Sequence, residues 1–545
     1  MAYFRPRLLD ELRGYDRAKL ASDVSAGLTV AAVALPLAMA FAIASGLKPE
    51  AGLFTAIVAG FLISALGGSR VQIGGPAGAF VVVVYAIVER YGVANLLLAT
   101  MMAGVLLLAM GIFRLGNLVR FVPVSIVIGF TNGIAVLIVL SQLPDLLGLQ
   151  APDLPADFFL KLRALAQAAP SADPVTIALG AASLGVVWGW PRLWRSGGGA
   201  VPRVMRHVPG TVIGLILGTA AVIVLKLQVA TIGTRFGGIP QSLPPFAWPQ
   251  VGWTEIGLLA GPAFTIALLG SIESLLCARV ADAAIEDRHD PNQELMAQGI
   301  ANIASPLFGG FCATGTIART MTSVRSGAKT PLAGIVHALV LLIVVLLGAP
   351  LARHIPLATL AAILIYVAYY MGEWHEFTRL RQFSNYYRLI LLSTFILTVV
   401  VDLTVAVQVG LVLACLFFIA RISGLTRVDA IEVAQPGVEA YRISGSLFFG
   451  AVSKMDGLLD PRRPLPKVLI LDLAQLLNMD TTGLETLETL HTMLLRRGAA
   501  LILAGVREQP RGLLARSGLI EKLGRSNVVP DLADATRRAR ELAVS

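Results

Sequence analysis

The sequence predicts a polytopic α-helical membrane protein followed by a small soluble α/β domain. Of its 545 residues, 56% are hydrophobic and only 14% are charged, and the mean hydropathy is +0.75. This composition is too apolar for a soluble globular protein. Residues 1–23 are polar and basic and lack the apolar stretch of a cleavable signal peptide. We therefore expect them to form a cytoplasmic lead-in.

Nearly uncharged runs indicate about fourteen membrane spans, judged against roughly 20 residues per crossing. They form two sets of seven, in repeats of about 24–230 and 255–425 within a transmembrane region of 24–425. The third member of each set is short and rich in glycine, which indicates a 7+7 inverted repeat. The predicted spans are 24–47, 51–69, 76–88, 92–113, 121–143, 174–190, 208–225, 256–278, 295–309, 315–324, 331–352, 355–372, 389–401 and 403–420.

The distribution of basic residues predicts the orientation. Loops after even-numbered spans hold more arginine and lysine than the loops on the other side, so the positive-inside rule places these loops and both termini in the cytoplasm. The net charge of +10 then reflects orientation in a bacterial-type inner membrane, with no nucleic-acid partner. The even-numbered loops hold Arg70, Arg114, Arg120, Arg192, Arg195, Arg203, Arg206, Arg279, Arg288, Arg325, Lys329, Arg379, Arg381 and Arg388.

The C-terminal segment, residues 436–545, is charged, and its apolar runs are short. Val468–Leu471 and Leu501–Ala504 have the length of strands, and 481–497 has the periodicity of a helix. Its leucines are expected on one buried side, namely Leu484, Leu487, Leu490, Leu494 and Leu495. Alternation of strand, helix and strand predicts a small cytoplasmic α/β domain.

The segment 308–332 contains glycine, threonine, serine and Arg319 inside an apolar region. Irregular backbone at membrane depth is tolerated only where protein buries it or where it lines an aqueous cavity. We expect extended backbone to about Thr314 and a half-helix from about Gly315, with Arg319 one turn further on. Helix N-termini attract anions, so Gly315, Thr316 and Ile317 would offer backbone amides to one.

The segment 71–80, VQIGGPAGAF, repeats this pattern in the first half. Pro76 suits the first position of a helix, and Gly75, Ala77 and Gly78 would offer amides from the opposite side. Interrupted apolar segments at corresponding positions of two halves indicate a transporter binding site. Close helix packing by small residues is the alternative explanation.

Ordered motifs across nearly the whole chain resemble the sulfate permease (SulP) family of anion transporters. They include GGPAGAF (74–80), LLGSIESLLCARVAD (268–282) and CATGTIARTMTSVRSGAKTPLAG (312–334), and KVLILDLAQLLNMDTTGLETL (467–487) resembles a STAS domain. The resemblance implies a core domain and a gate domain, an anion between the two half-helices and an elevator-like cycle. It also implies homodimers and substrates such as sulfate, bicarbonate, chloride or C4-dicarboxylates.

Arg319 matches a family arginine that adds positive potential at the substrate site, although it could instead neutralise a nearby carboxylate. Glu273 stands where sodium-coupled bicarbonate members have an aspartate, and Cys277 replaces their threonine one turn later. Sodium prefers oxygen donors, so we expect Glu273 to couple transport to protons. A permanent Glu273–Arg319 ion pair that only stabilises the fold is the alternative.

The resemblance also suggests that Thr481 or Thr482 is a phosphorylation site, whereas a helix N-cap in this motif would need no regulation. The three cysteines are not paired in spacing, and the sequence contains no nucleophilic triad, Walker A loop, CxxC or HExxH motif. We therefore expect no enzyme activity, metal site or cofactor. Sulfate transport with proton symport is the first interpretation, and bicarbonate or C4-dicarboxylate transport the second. An uncoupled channel, or a sensor that signals through the STAS domain, remains a different class.

Overall fold

The computed structural model describes residues 4–117, 122–150, 154–195, 208–242, 244–248, 253–460, 464 and 466–544. The chain divides into two compact units, 1–411 and 412–545. The helices of the first unit, the last of which runs on into the second, are α1 Arg7–Glu11, α2 Arg17–Ala44, α3 Pro49–Leu66, α4 Gly78–Ile112, α5 Val124–Leu147, α6 Phe158–Ala168, α7 Pro174–Arg195, α8 Gly210–Leu225, α9 Ile232–Phe236, α10 Trp253–Ile285, α11 Pro291–Leu307, α12 Ile317–Arg325, α13 Leu332–Ala352, α14 Leu357–Met371, α15 Trp374–Thr378, α16 Asn385–Val400 and α17 Leu403–Leu425.

Each of the fourteen predicted spans has a helix in this set. Helix α4 serves for two of them, because Gly92 breaks its helical backbone (φ 82°, ψ 168°). Within the described chain, 7 helices are long and apolar enough by themselves to cross a membrane, and α8, α14 and α16 are shorter apolar helices. The predicted polytopic helical architecture is confirmed, whereas the inverted relation of the two halves stays a prediction.

Side-chain caps define where several helices begin. Asp16 accepts a hydrogen bond from the Lys19 amide at the start of α2 (2.7 Å). Asp290 accepts from the amides of Asn292 and Gln293 at the start of α11. An acceptor at this position satisfies amides that have no partner within the helix. The predicted cytoplasmic arginines Arg120, Arg203 and Arg206 lie outside the described residues.

The membrane helices pack in two groups. In one, α4 packs on α10 and α11, and α2, α3 and α13 pack on one another; in the other, α5 packs on α14 and α16, and α7 packs on α8 and α14. Small residues permit the close contacts: a Cβ on Gly104 of α4 would lie 2.8 Å from the carbonyl oxygen of Gly299 on α11. The resemblance predicts that the first group is the core domain and the second group is the gate domain.

Two short strands pair with each other at the centre of the first group, where the two broken helices meet. We call them the crossing strands. Strand β1 (Gly74–Gly75) precedes α4, and β2 (Thr314–Gly315) precedes α12. They pair antiparallel, with Gly74 opposite Gly315 and Gly75 opposite Thr314. The predicted breaks are therefore in contact, although the helices begin two residues later than predicted. Pro76 is not the first helical residue, because Ala77 is the N-cap and Gly78 begins α4.

The second unit contains a six-stranded sheet in the order β3-β4-β5-β7-β8, with β6 beside β4. Strands β3 and β4 are antiparallel, and the other pairs are parallel. Its elements are β3 Arg427–Ile431, β4 Val438–Leu447, α18 Asp456–Leu459, β5 Val468–Asp472, β6 Leu476–Met479, α19 Thr481–Arg496, β7 Ala500–Ala504, α20 Glu508–Arg516, α21 Leu519–Leu523, β8 Val528–Val529 and α22 Leu532–Val544.

Both faces of this sheet are covered, as is usual for parallel strands. Leu487 and Leu490 of α19 pack with Leu471 on one face, and Ala535 of α22 packs with Ile470 on the other. The predicted α/β alternation is correct, but β3 begins nine residues before the predicted boundary at 436. The placement of Leu495 on the buried face is wrong, because that side chain is 66% exposed.

Candidate functional site

Arg319 lies at the meeting point of the two broken helices. Its side chain is 1% exposed, and its Nη2 donates a hydrogen bond to the carbonyl oxygen of Pro76 (3.0 Å). Its Nη1 is buried and has no hydrogen-bond partner in the protein. The guanidinium thus fixes the second break to the first and keeps one donor available.

Gly75 leaves the space that Arg319 needs. A Cβ on residue 75 would lie 2.3 Å from Nη1 of Arg319, and Gly75 has a φ of 150°, which L-residues rarely adopt. The sequence predicts that Gly75 offers an amide to a ligand, and this stays a prediction. Its observed surroundings indicate that its small size also lets the arginine approach the strand.

The backbone amides available at α12 differ from those expected. The Thr316 amide and hydroxyl both donate to the Ile73 carbonyl oxygen (3.0 and 3.2 Å), so they are already used. No side chain caps α12. The first-turn amides without an acceptor inside the helix therefore start at Ile317. Gly315 lies opposite Gly74 in the strands, and a ligand at its amide stays a prediction.

The start of α4 is enclosed by two large side chains. A Cβ on Gly78 would lie 3.3 Å from Cε1 of Phe41 on α2 and 3.4 Å from Sδ of Met371 on α14. Ala77, the N-cap, is buried and provides no side-chain cap. The sequence motif predicts Ala77 and Gly78 at this site. Phe41 and Met371 were not predicted there, because they lie far away in the sequence.

Glu273 on α10 also lies in the first packing group. Its Oε2 is buried without a hydrogen-bond partner. It forms no ion pair with Arg319 in this structure, because Nη2 of Arg319 is bonded to the Pro76 carbonyl oxygen and Nη1 has no partner. The alternative explanation, in which a permanent ion pair holds these helices together, therefore does not describe this conformation.

Cys277 lies one turn after Glu273, and its thiol is hydrogen-bonded to a side chain of α12. Its Sγ is hydrogen-bonded to Oγ1 of Thr320 (3.3 Å), and the same hydroxyl accepts from the Ile73 amide (3.0 Å). The thiol therefore packs α10 against the crossing strands. An oxygen ligand for sodium is not present at residue 277.

Gln72 is a polar residue of this region that the sequence analysis missed. Its Nε2 donates to the carbonyl oxygen and the hydroxyl of Ser274 (3.3 and 3.0 Å), and its Oε1 is buried without a partner. A Cβ on Gly315 would lie 1.6 Å from that Nε2. Gln72 thus joins the helix of Glu273 to strand β2. A glutamine in an apolar run, two residues before GGP, was the available signal.

Polar side chains of α3 and α11 hold the extended segment before β2. Asn302 bonds both backbone groups of Ala313, with its Oδ1 accepting from the amide (2.8 Å) and its Nδ2 donating to the carbonyl (2.9 Å). Phe311 is held in the same way, by Thr55 at its amide and Ser305 at its carbonyl. Buried backbone outside regular structure needs such partners.

Two isolated polar residues make hydrogen bonds within or at the start of their own helices. Asn132 donates to the Ile128 carbonyl within α5 (3.0 Å). Asp402 accepts from the Val405 amide at the start of α17 (2.9 Å).

In the soluble unit, Asp480 is the N-cap of α19. Its Oδ1 accepts from the Gly483 amide (2.8 Å), and its Oδ2 accepts from the Phe449 amide (3.0 Å). Thr481 is exposed in the first turn, and Thr482 is half-buried. The cap explains the aspartate of the motif, and regulation through either threonine stays a prediction.

A model of the sulfate permease family matches residues 20–394, which is more than half of the chain. The chain belongs to the sulfate permease family. This is a family of transporters and not of enzymes. A model of the STAS domain matches residues 431–535, in agreement with the second compact unit.

Similar proteins of this family span almost the whole chain. The putative sulfate transporter YvdB of Bacillus subtilis is 40% identical over 530 residues, which is 96% of this chain and 98% of the relative. The bicarbonate transporter BicA of Picosynechococcus is 30% identical over 546 residues, covering 95% and 94% of the two chains.

Two solved structures show the same fold. The transmembrane domain of a cyanobacterial bicarbonate transporter BicA has a TM-score of 0.65 and 32% identity, over 72% of this chain and 98% of the other. The murine anion transporter Slc26a9 in the inward-facing state has a TM-score of 0.86 over 98% and 94% of the chains. At 19% identity, the second likeness concerns the fold alone.

Proposed function

We propose that this sulfate permease family member is a secondary active transporter of small inorganic anions, with sulfate as the first candidate substrate. The carrying observation is the free Nη1 of Arg319, a buried donor on a cation beside the N-termini of two half-helices. An intramembrane cation is costly unless an anion or another partner accompanies it. Helix N-termini add donors and partial positive charge at the same place.

Glu273 is the proposed coupling residue, and a proton is the proposed coupling ion. Its carboxyl oxygen is buried and unpaired, a setting in which the neutral, protonated form is favoured over the anion. A sodium ion would need oxygen ligands, whereas Cys277 offers sulfur and is bonded to Thr320. Proton symport with the anion therefore agrees better with these residues than sodium symport.

Transport would follow an elevator-like cycle in the plasma membrane, with both termini in the cytoplasm and with the protein as a homodimer. The separate packing of α2–α4 and α10–α13 from α5, α7, α8, α14 and α16 supports movement of one group against the other. The anion would travel with the first group, because Arg319 and both crossing strands belong to it.

The decisive experiment is uptake of labelled sulfate by purified protein in liposomes with an imposed proton or sodium gradient. We expect proton-driven accumulation of sulfate. Arg319→Gln should abolish both sulfate binding and uptake, because the free donor and the charge are lost. Glu273→Gln should abolish accumulation driven by protons but retain sulfate binding.

Matched controls are available on the same helices. Arg325→Gln removes an exposed arginine at the other end of α12, and Glu286→Gln removes an exposed carboxylate just after α10. Both should retain uptake. Unchanged flux in Glu273→Gln would favour an uncoupled channel, and intact STAS-dependent signalling by a folded Arg319→Gln protein would favour a sensor.

Bicarbonate is the second candidate substrate, favoured by the 30% identity to the bicarbonate transporter BicA over nearly the whole chain. A proton-coupled C4-dicarboxylate transporter is a further alternative, because the N-cap of α4 is the small residue Ala77. Parallel uptake of bicarbonate and succinate separates these substrates. Sodium-driven bicarbonate uptake would contradict the proposed role of Glu273 in carrying protons.

A further inference from the structure

His337 on α13 is a buried titratable residue that the proposed transport mechanism does not use. It is 0% exposed, and neither Nδ1 nor Nε2 has a hydrogen-bond partner in the protein. Buried polar groups in proteins are nearly always hydrogen-bonded, and an apolar side chain would fill the same space without this penalty. Ionisable residues inside membrane segments are candidates for function, especially for carrying protons.

The position of His337 relates it to Arg319. A Cβ on Gly60 of α3 would lie 4.0 Å from Nε2 of His337 and 3.2 Å from the carbonyl oxygen of Gly74. Gly75, the next residue of strand β1, lies against Nη1 of Arg319. The imidazole therefore lies near Gly60, which packs on Gly74, and the guanidinium lies against the adjacent Gly75. Gly74 and Gly75 both belong to the strand that leads into half-helix α4.

Among the described residues, Arg319 is the charged group that acts electrostatically on His337. Helices α2 and α3 pack on α13, and α13 carries no other charged side chain. The charged residues of α2 lie near its start, and Asp23 is the last of them. Asp23 accepts hydrogen bonds from Thr330, which precedes α13. Helix α3 has one charged residue, Glu50, in its first turn, which is roughly 15 Å along the axis from Gly60.

We propose that His337 binds a proton when an anion binds beside Arg319, so that the two enter the transport cycle together. This inference rests on the proposed anion-transport function. In the empty site, the positive charge of Arg319 repels a second cation on the imidazole through a medium of low dielectric constant. A bound anion cancels that repulsion, and the free ring nitrogen can then take up a proton.

The step balances without any other reactant. One N–H bond forms on the imidazole as hydronium or water gives up a proton, and the same bond breaks when the proton returns to water on the other side. By linkage, the factor by which the anion favours proton binding equals the factor by which the proton favours anion binding. Sulfate affinity should therefore rise as pH falls, by at most about tenfold per pH unit for one coupled proton.

The test measures sulfate binding and proton uptake by the purified full-length protein between pH 8 and pH 5.5. A pH indicator in weak buffer reports the protons taken up when sulfate is added. We expect sulfate binding by His337→Gln to depend less steeply on pH than binding by the wild type, and this variant to take up fewer protons per sulfate. The pH dependence that remains is the contribution of Glu273. His337→Asn is the second variant, in case the longer amide disturbs packing.

Ser64→Ala is the matched control. Ser64 of α3 has a buried hydroxyl without a partner and lies beside Gly334, one turn before His337, but it does not titrate. This variant should retain the pH dependence of the wild type. If it loses that dependence to the same extent, local polarity and not histidine protonation is responsible, and the proposal is overturned.

A measurement on the wild type tests the proposal even if neither histidine variant folds. In protein labelled with ¹⁵N-histidine, sulfate at constant pH should shift the ring signals of one of the 6 histidines towards the protonated form. Absence of any such shift, despite sulfate binding, would overturn the role of His337 while leaving anion transport intact. Absence of sulfate binding would contradict the proposed function itself.

Discussion

At the scale of single residues, the site depends on small side chains that let larger polar ones approach the crossing strands. The absence of a side chain at Gly75 leaves space for Arg319, and its absence at Gly315 leaves space for Gln72. In both cases the polar side chain reaches across from a different segment and ends near the start of a half-helix. Glycine at these positions is thus required by contacts between segments and not only by local backbone freedom.

Replacement of Gly75 by alanine should remove anion binding. The new Cβ would lie 2.3 Å from Nη1 of Arg319, and the residue's φ of 150° is unfavourable for alanine, so the guanidinium must move. We expect uptake to fall about tenfold or more, which corresponds to about 1.4 kcal/mol or more. Gly185→Ala on α7, where a Cβ has nothing within 4 Å, is the control. Full sulfate affinity in Gly75→Ala would show that Arg319 is not positioned through this glycine.

Gln72 and Gly315 should be energetically coupled. Gly315→Ala places a methyl group 1.6 Å from the present position of the Gln72 Nε2 and breaks the bonds to Ser274. We expect it to lower the thermal unfolding temperature, whereas Gly315→Ala combined with Gln72→Ala should recover part of the loss because the clash is gone. Strictly additive effects in this double-mutant cycle would mean that the two residues do not interact.

At the scale of elements, helix caps and buried side-chain bonds decide where each element starts. The crossing strands are only two residues long, so side chains must satisfy the neighbouring backbone. Asn302 does so for Ala313, and Thr55 and Ser305 do so for Phe311. A two-residue strand pair without such support would leave several backbone groups unpaired in a membrane.

The N-cap of α19 offers a test at this scale in the STAS domain. Asp480→Ala removes the acceptor for the Gly483 amide and for the Phe449 amide. We expect a loss of about 0.5–2 kcal/mol in the stability of this domain, seen as faster hydrogen exchange of the first-turn amides of α19 in the full-length protein. Glu485→Ala, an exposed carboxylate on the same helix, should leave exchange unchanged. Equal exchange in both variants would contradict the capping role.

At the scale of the whole molecule, the fourteen predicted spans would place both termini on one side of the membrane, and the basic loops predict that this side is the cytoplasm. The test uses impermeant maleimide labelling of cysteines introduced at exposed positions, in a protein whose exposed Cys415 is replaced by serine. Arg163→Cys should react only from the outside, and Arg381→Cys only from the inside. The reverse pattern would invert the predicted topology.

Much of this protein could be predicted from its sequence alone. Hydropathy, periodicity and glycine-rich interruptions determined the membrane helices, the two breaks, the α/β tail and the candidate residues Arg319 and Glu273. These features follow from local rules, because a span needs an apolar run and a break needs residues that tolerate irregular backbone. Resemblance to the sulfate permease family added the arrangement of core and gate.

Only the tertiary structure decided which atoms remain free. It showed that Thr316 is already bonded to Ile73, that Glu273 and Arg319 are not paired in this conformation, and that Gln72 and His337 lie at the crossing strands. It also placed Leu495 at the surface. These outcomes depend on contacts between residues distant in sequence, whose geometry is set by how the helices pack.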